Sequence, residues 1–397
     1  MSIALNNSRV AHRMGDIQPF YVMDILARAR ELEAQGKSII HMEIGEPDFP
    51  TPQPIIDAGV KAIATGSMFY TPALGLPALR AAIAGFYRDR YNLDLSPSRI
   101  IVTPGSSGAL LLTMGVLLNP GDQVLMADPG YPCNRHFVRF TEGQAVGVPV
   151  DASTGYQLTP ELIDQHWTPK TVAVMLASPS NPTGTLISPE TLRAIAELVK
   201  SRGGKLIVDE IYHGLVYEEE AATALAISDE LFVINSFSKY FGMTGWRLGW
   251  LVAPEVYVPV IDKLAQNIFL APSTPAQYAA LAAFTPETIA ILEDRRQQFK
   301  ARRDYLLPAL RELGFEIPVT PQGAFYLYAG CSKLTDDSFA FARDMLENAG
   351  VAITPGLDFG SHLPGRHVRF AYTTALDNLK IGVIRLKQFI TGRENLK

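Results

Sequence analysis

Cysteines, long apolar runs and a signal-peptide pattern are scarce or absent in this sequence. Its 397 residues include two cysteines, Cys133 and Cys331, which are far apart in the sequence and lack the spacing of a metal motif or a disulfide framework. The longest apolar run, residues 109–118, is about half the length that crosses a bilayer. Residues 1–15 lack the apolar core of a signal peptide. We therefore expect a cytoplasmic protein that does not enter a membrane.

The sequence also lacks a large excess of charge of either sign. Its formal net charge is −5, which argues against a broad surface for nucleic acid. No internal repeat, low-complexity block or obvious linker divides it. A hydrophobic fraction of 47% and a charged fraction of 19% are typical of a globular protein, and the length predicts two domains.

Short apolar runs alternate with helical patterns between residues 100 and 255. We predict strands at residues 100–102, 123–126, 172–176, 206–208, 231–234 and 248–252. Two of the helices between them begin at Thr159-Pro160 and Ser188-Pro189, where a capping residue precedes proline. Short buried strands that alternate with helices predict an α/β fold, with a mostly parallel sheet covered on both faces.

The pattern changes after residue 285. Thr285 and Pro286 begin a long charged helix, in which we expect a bend near Pro308. Strands predicted at residues 324–328 and 367–371, with helices at 338–348 and 378–390, indicate a smaller α+β domain. We assign residues 45–285 to a large domain and residues 1–44 plus 286–397 to a small domain.

One lysine, Lys239, follows the predicted strand at residues 231–234. Ser236 and Ser238 precede it, and Arg247 lies eight residues beyond. A desolvated lysine beside other cations loses part of its preference for the charged form, so its amine can form a Schiff base with an aldehyde. The hydroxyls and the arginine suit a phosphate. Pyridoxal phosphate is both an aldehyde and a phosphate, and it is the cofactor that this pattern indicates.

Polar residues that follow the other predicted strands suit the ring of this cofactor. In an open α/β sheet, ligands bind outside the carboxyl ends of the strands. Asp209 follows one strand, and a carboxylate facing the pyridine nitrogen keeps that nitrogen protonated. Tyr212 and Asn181 can donate to the phenolate oxygen of the ring. Tyr131 can stack on its face.

The phosphate needs backbone N–H groups, hydroxyls and a cation. Ser106 and Ser107 lie at the start of a predicted helix, where N–H groups point outward. Ser236, Ser238 and Arg247 supply the hydroxyls and the cation. Taken singly, such residues are more often helix caps, turns and loops. Their joint occurrence at strand ends, in this order, favours the cofactor site.

In combination these residues resemble those of the class I/II aminotransferase family, which are fold-type I pyridoxal-phosphate enzymes. The resemblance covers nearly the whole chain and implies a seven-stranded, mostly parallel sheet sandwiched by helices, with a cis peptide bond between Asn181 and Pro182. The matching runs are residues 45–49 (GEPDF), 70–72 (YTP) with Gly75 and residues 79–80, 180–184 (SNPTG), 209–212 (DEIY), 236–239 (SFSK) through Arg247, and Arg369.

The resemblance also implies roles. Lys239 holds the cofactor as an internal aldimine and moves a proton between the amino acid's α-carbon and C4′ of the cofactor. The amino group of an L-amino acid thereby passes to a 2-oxo acid. Arg369 and Asn181 hold the substrate's α-carboxylate, with the backbone of Gly45 nearby. Tyr70 reaches the phosphate of the neighbouring subunit's cofactor, which implies a homodimer with shared active sites.

Several other functions fit part of the pattern. Ser236-x-x-Lys239 is the signature of serine acylases related to penicillin-binding proteins, but the sequence has neither Ser-Asp-Asn nor Lys-Thr-Gly. A P-loop ending at residue 38 has Glu31 where its first glycine belongs, and a nucleophile elbow at residues 105–109 lacks its last glycine. A transcription regulator with this fold needs a DNA-binding domain, for which the residues before Gly45 leave no room.

A C–S β-lyase of the same fold remains the main alternative to transamination, because both reactions use Asp209, Lys239 and Arg369 in the same way. We expect an enzyme of amino-acid biosynthesis that binds neither metal nor nucleic acid. The sequence does not identify the amino-acid donor or the oxo-acid acceptor. No clear second arginine marks a dicarboxylate pocket, although loop residues of a partner subunit could supply one. Phe20, Tyr21 and Tyr326 fit either an apolar pocket or the core.

Overall fold

The computed structural model describes residues 9–66, 68–218 and 221–394. The strands of the described residues are β1 (Ile40–His41), β2 (Ile100–Thr103), β3 (Gln123–Asp128), β4 (Gln144–Pro149), β5 (Thr171–Ala177), β6 (Lys205–Asp209), β7 (Phe232–Ser236), β8 (Gly249–Val252), β9 (Tyr326–Gly330), β10 (Val351–Ala352), β11 (Thr354–Pro355) and β12 (His367–Ala371). The α-helices are α1 (Tyr21–Ala34), α2 (Gln53–Ala64), α3 (Pro77–Tyr91), α4 (Gly105–Leu117), α5 (Pro132–Phe140), α6 (Pro160–His166), α7 (Pro189–Ser201), α8 (Val258–Ile268), α9 (Thr274–Leu281), α10 (Pro286–Glu312), α11 (Ser338–Asp344) and α12 (Leu376–Glu394).

The central sheet has seven strands in the order β2-β8-β7-β6-β5-β3-β4. Neighbouring strands are parallel except at β8, which runs antiparallel to both β2 and β7. Strands β2, β7 and β8 are buried at every residue, with apolar clusters on both faces of the sheet. The predicted mostly parallel, seven-stranded sheet is therefore confirmed.

All six strands predicted between residues 100 and 255 are present, with ends that differ by up to two residues. The prediction missed β4, which lies at the edge of the sheet. Most of its residues are exposed or half-buried, so it lacks the apolar run that marks the central strands. The helix starts were correct: the side chains of Thr159, Ser188 and Thr285 each accept a hydrogen bond from the backbone N–H three residues later.

The C-terminal residues form an antiparallel sheet in the order β11-β12-β9. Strand β12 matches its prediction, whereas β9 begins two residues later than predicted. Ala324 has φ +60°, outside the strand region, and its N–H donates to the carbonyl of Leu215 at 2.9 Å. The predicted helix at residues 338–348 is α-helical to Asp344 and continues as a π-helical turn, Met345–Ala349.

The first described residues pack against the C-terminal part of the chain. Strand β1 pairs in parallel with β10, with Ile40 opposite Val351. Helix α1 is capped by Asp358, whose carboxylate accepts the N–H groups of Tyr21 and Val22, each at 2.8 Å. Within the described residues, no helix combines the length and the apolar character needed to cross a membrane.

Candidate active site

The carboxyl ends of three adjacent parallel strands meet at one edge of the central sheet. Strand β6 ends at Asp209, β7 ends at Ser236, and the loop after β5 carries Asn181. Strand β8 begins there with Gly249, directly opposite Ser236. The topology therefore gathers residues that are far apart in the sequence.

Lys239 follows β7 and points to the segment that precedes α2. Its Nζ donates to the carbonyl of Gly45 at 2.7 Å. Burial, the largest cause, and the cations Arg369 and Arg247 together lower the pKa of Lys239 to about 8, although Glu46 opposes them. A lysine with this pKa has a substantial neutral fraction near pH 8, as a nucleophilic amine requires.

Asp209 is a buried carboxylate, 7% exposed. Among the described residues its side chain accepts one hydrogen bond, from the N–H of Ile211 at 3.1 Å. Burial raises its pKa to about 6, because a low-dielectric site disfavours the charged form. A cationic partner would reverse this effect, so the site suits a protonated pyridine nitrogen.

Tyr212 and Tyr326 form a buried pair whose hydroxyl oxygens lie 2.9 Å apart. Tyr326 also lies against Gly45, where a Cβ atom would come within 1.9 Å of the tyrosine oxygen. Position 45 therefore tolerates no side chain while Tyr326 stays in place. The sequence allowed Tyr326 to lie either in a pocket or in the core. The glycine at position 45 was the only sequence signal of its close approach to this segment.

Arg369 lies in β12 and is 3% exposed. Its two terminal nitrogens donate to Asn181 Oδ1 at 2.9 Å and to the carbonyl of Glu43 at 2.5 Å. The guanidinium is sandwiched between the rings of Tyr326 and Phe359, with its Cζ atom 4.3 and 4.8 Å from their centroids. Its Nε is buried and has no hydrogen-bond partner in the described structure, so the group retains a donor for a carboxylate.

The hydroxyls of Ser236 and Ser238 lie 3.0 Å apart at the end of β7, and Ser236 also donates to the carbonyl of Leu248 at 3.2 Å. Lys239, by contrast, donates to Gly45. The pairing of serine with lysine that a serine acylase requires is therefore not formed.

Glycines make room for the N-terminus of helix α4 beside these hydroxyls. A Cβ atom at Gly249 would lie 2.8 Å from the backbone nitrogen of Ser106, and one at Gly105 would lie 2.8 Å from a terminal nitrogen of Arg247. The helix start, the strand ends and the arginine thus surround a cradle without side chains. Arg247 and Ser107 are exposed, so the cradle is open to solvent.

Tyr131 directly precedes helix α5 and packs edge-on against Phe20, with ring centroids 6.4 Å apart. From Tyr131 and Asn181 a cleft of about 890 Å³ extends along α5, and Arg135 and Phe359 also line it. The peptide bond after Asn181 is cis, as predicted.

Tyr70 differs from the other predicted site residues because its side chain is 83% exposed. Neighbouring Phe69 is 76% exposed, and its carbonyl accepts the hydroxyl of Thr274 at the start of α9. Helix α2 packs against α9 and exposes Val60 and Ile63. We call Val60, Ile63, Phe69 and Tyr70 the apolar patch.

The described ranges contain no cluster of three or more His, Cys, Asp or Glu side chains arranged to hold a metal ion. The donor set instead consists of one buried lysine, one buried carboxylate, phenols, hydroxyls and two arginines. These groups match an aldehyde, a pyridine nitrogen, a phenolate and two anions.

Comparison with known proteins agrees with this chemistry. Residues 37–386 match the family described as "Aminotransferase class I and II". The chain is 38% identical to a valine–pyruvate aminotransferase of Mycobacterium tuberculosis, over 97% of this chain and 99% of the relative. It is also 38% identical to a (5-formylfuran-3-yl)methyl phosphate transaminase of Methanocaldococcus jannaschii, over 96% and 99%. The crystal structure of an aminotransferase from Mycobacterium tuberculosis superposes with a TM-score of 0.94, at 38% identity over 97% of this chain and 100% of that one.

The chain belongs to the class I and II aminotransferase family. It is a pyridoxal-phosphate-dependent transaminase, and its substrates are amino acids and oxo acids. The resemblance inferred from the sequence motifs is thereby confirmed. The cofactor fits the donor set because the glycine cradle leaves space for a phosphate. The substrate's carboxylate fits because the buried Nε of Arg369 has no hydrogen-bond partner among the described residues.

Proposed function

We propose that this enzyme transfers the amino group of an L-amino acid to a 2-oxo acid with Lys239 as its catalytic residue. When bound, pyridoxal phosphate supplies a ring that withdraws electrons from the substrate's α-carbon. The observation that carries the proposal is the buried amine of Lys239, whose pKa is lowered to about 8 and whose Nζ lies 2.7 Å from the carbonyl of Gly45. In its neutral form that amine can bind the cofactor's aldehyde and take the proton from the α-carbon.

Asp209, Tyr212 and Asn181 are proposed to hold the ring. The carboxylate of Asp209 keeps the ring nitrogen protonated. It is buried, and among the described residues it accepts a single hydrogen bond, from the N–H of Ile211. The hydroxyl of Tyr212 and the amide of Asn181 donate to the ring oxygen, while Tyr131 stacks on the ring face.

The phosphate is proposed to bind in the glycine cradle. The N–H groups of Ser106 and Ser107 lie in the first turn of α4, where the helix dipole favours an anion. The hydroxyls of Ser236 and Ser238 and the guanidinium of Arg247 complete the set of donors from this chain.

The substrate's α-carboxylate is proposed to bind Arg369 and Asn181, close to the Gly45 backbone. Support comes from the hydrogen bond of 2.9 Å between the two side chains, which fixes the guanidinium, and from the unpaired Nε. Glu43, Tyr326 and Phe359 hold the arginine from the other sides. Binding the carboxylate here leaves the α-carbon toward Lys239.

A homodimer with shared sites is proposed as the active form. The apolar patch supports it, because Phe69 and Tyr70 are 76% and 83% exposed on a segment held in place by Thr274. An aromatic pair held outward costs hydrophobic free energy unless a partner covers it. With Tyr70 of one subunit donating to the other subunit's phosphate, the open side of the cradle is closed.

We place the enzyme in amino-acid biosynthesis in the cytoplasm and leave its donor open among α-amino acids. The two relatives at 38% identity are named for very different substrates, valine in one and a furan phosphate in the other. The wall of the cleft is also mixed, with Tyr131 and Phe359 beside Gln157 and Arg135.

Two measurements test this function. Borohydride reduction followed by digestion and mass spectrometry should find the pyridoxyl group on Lys239, and its recovery on another lysine would contradict the proposal. A panel of amino-acid donors with 2-oxoglutarate and pyruvate as acceptors should give new amino acids. Ammonia release from cysteine conjugates without any oxo acid would instead favour the C–S β-lyase.

A further inference from the structure

The loop at residues 356–362 carries one of the two rings that sandwich Arg369. Phe359 is 1% exposed, and the Cζ atom of Arg369 lies 4.8 Å from its centroid. The ring also packs edge-on against Tyr328 at 6.0 Å. The ring therefore constrains the plane of the guanidinium, in addition to the hydrogen bonds from Arg369 to Asn181 and Glu43.

The loop is held by residues of the segment 128–135, more than 220 positions earlier in the sequence. The carboxylate of Asp128 accepts the N–H of Ser361 at 2.9 Å, its hydroxyl at 2.8 Å and the N–H of His362 at 3.3 Å. The N–H of Gly130 donates to the carbonyl of Phe359 at 2.8 Å. A terminal nitrogen of Arg135 donates to the carbonyl of Asp358, also at 2.8 Å.

The contact between Asp128 and the loop is close enough to exclude a side chain at position 360. A Cβ atom on Gly360 would lie 1.7 Å from Asp128 Oδ1. Asp128 is 6% exposed, and its hydrogen-bond donors are neutral. Within the described residues this carboxylate forms no salt bridge, so its hydrogen bonds to the loop must offset the free energy that its burial costs.

Asp151, which caps an ordinary turn, differs from Asp128 in burial and in the span of chain that it joins. Asp151 accepts the N–H and the hydroxyl of Ser153 at 2.8 and 2.6 Å, which is the same chemistry. Asp151, however, is exposed and closes a turn two residues away. Asp128 is buried and joins two distant segments, one of which continues into Tyr131.

We propose that Asp128 is a positioning residue for the substrate: it fixes the 356–362 loop so that Phe359 holds Arg369 in the orientation that receives the α-carboxylate. The same segment carries Tyr131, so one set of hydrogen bonds ties the ring-stacking tyrosine to the carboxylate-binding arginine. This role rests on the function proposed above for Arg369.

The test compares Asp128→Ala and Asp128→Asn with the matched control Asp151→Ala in the cofactor-loaded enzyme. Asp128→Ala should raise KM for amino acids roughly tenfold, with a smaller change in kcat. This is the effect expected when a misplaced Arg369 loses one hydrogen bond to the substrate's carboxylate. Cofactor absorbance and single-turnover rates with amines that lack a carboxylate should stay close to those of the wild type. Asp128→Asn keeps one acceptor and should recover part of the affinity, and Asp151→Ala should match the wild type.

Unchanged KM in Asp128→Ala, or an equal loss with carboxylate-free amines, overturns the positioning role. If Asp128→Ala does not fold, Ser361→Ala removes one donor alone and should raise KM in the same direction by a smaller factor; no rise there also overturns it. Arg369→Lys distinguishes a failure of the positioning role of Asp128 from a failure of the role proposed for Arg369. If Arg369→Lys leaves the kinetics with amino acids unchanged, the proposed role of Arg369 fails. If Arg369→Lys impairs amino acids more than carboxylate-free amines and Asp128→Ala does not, only the positioning role fails.

Discussion

The two ends of the cofactor site differ in how much of them is buried. At the ring end, Asp209, Tyr212 and Asn181 are 7%, 4% and 6% exposed. At the phosphate end, Arg247 and Ser107 are exposed, and Tyr70 is 83% exposed. One chain therefore encloses the groups proposed to act on the ring. At the phosphate end it buries Ser236 and Ser238 but leaves Arg247, Ser107 and Tyr70 facing solvent.

This difference assigns separate tasks to the fold of one subunit and to its proposed partner. Charged contacts in an enclosed site are strong because water does not screen them, whereas exposed contacts are weak. Changes at the ring end should therefore abolish chemistry, and changes at the phosphate end should mainly weaken cofactor binding. The following predictions test that division.

The largest effect is expected from Asp209→Ala. Without a facing carboxylate the ring nitrogen loses its proton, so transamination should fall by orders of magnitude while the protein still folds and binds cofactor more weakly. Steady-state kinetics and cofactor absorbance measure both properties. The matched control is Glu210→Gln. Burial raises the pKa of Glu210 to about 8, and its carboxyl group contacts Thr223 and Ala224, so loss of its charge should be tolerated.

Near-normal turnover in Asp209→Ala would mean that Asp209 has only a structural role. An equal loss of turnover in Glu210→Gln would mean that the effect is not specific to the carboxylate of Asp209.

Arg369→Lys should have the second-largest effect. A lysine offers a point charge where the guanidinium offers two parallel donors, so kcat/KM for amino acids should fall about ten- to a hundredfold with an unchanged cofactor spectrum. Arg302→Lys is the control: Arg302 is 4% exposed and pairs with Asp48 at 2.8 Å. It should lower Tm without changing the preference for donors that carry a carboxylate. Equal losses with carboxylate-free amines in Arg369→Lys would contradict the assignment.

A smaller effect, on cofactor binding, is expected from Tyr70→Ala. Removing one hydrogen bond to a phosphate should raise the Kd for pyridoxal phosphate about tenfold. At pyridoxal phosphate concentrations low enough to leave Tyr70→Ala largely without cofactor, mixing its subunits with inactive Lys239→Ala subunits should restore activity, because one site of each heterodimer regains both residues. Exchange confirmed by tagged pull-down without recovered activity would place Tyr70 in its own subunit's site.

The mildest test changes only pH. Because burial lowers the pKa of Lys239 from 10.5 to about 8, uptake of pyridoxal phosphate by the cofactor-free protein should accelerate through pH 8 and level off above it. Because the unfolded chain keeps this proton to a higher pH than the folded chain, burial of Lys239 costs folding free energy below pH 8, and this cost should diminish as the pH rises from 8 to 10.5. An uptake midpoint near 10.5 by stopped-flow absorbance would mean that Lys239 is solvated.

The placement of the residues proposed for the ring was predictable from sequence because they follow buried strands. Asp209 comes straight after an apolar run, and a parallel sheet brings such ends together. The surroundings of Arg369 were not predictable in this way. Glu43, Asn181 and Phe359 reach it from three separate segments, up to 326 positions away, and no local pattern records such contacts. Edge strand β4 was missed because half-exposed residues give no apolar run.

Helix α1 is capped by a residue that the ribosome adds late in synthesis, so the helix is made long before its cap. The N–H groups of Tyr21 and Val22 obtain their acceptor, Asp358, only after 336 or more further residues have been synthesised. Strand β1 likewise cannot pair until β10 has been synthesised. At about 5–20 residues per second the delay is roughly 20–70 s. During that interval the central sheet can assemble, while the apolar face of α1 lacks its final contacts and is a natural target for chaperones and proteases.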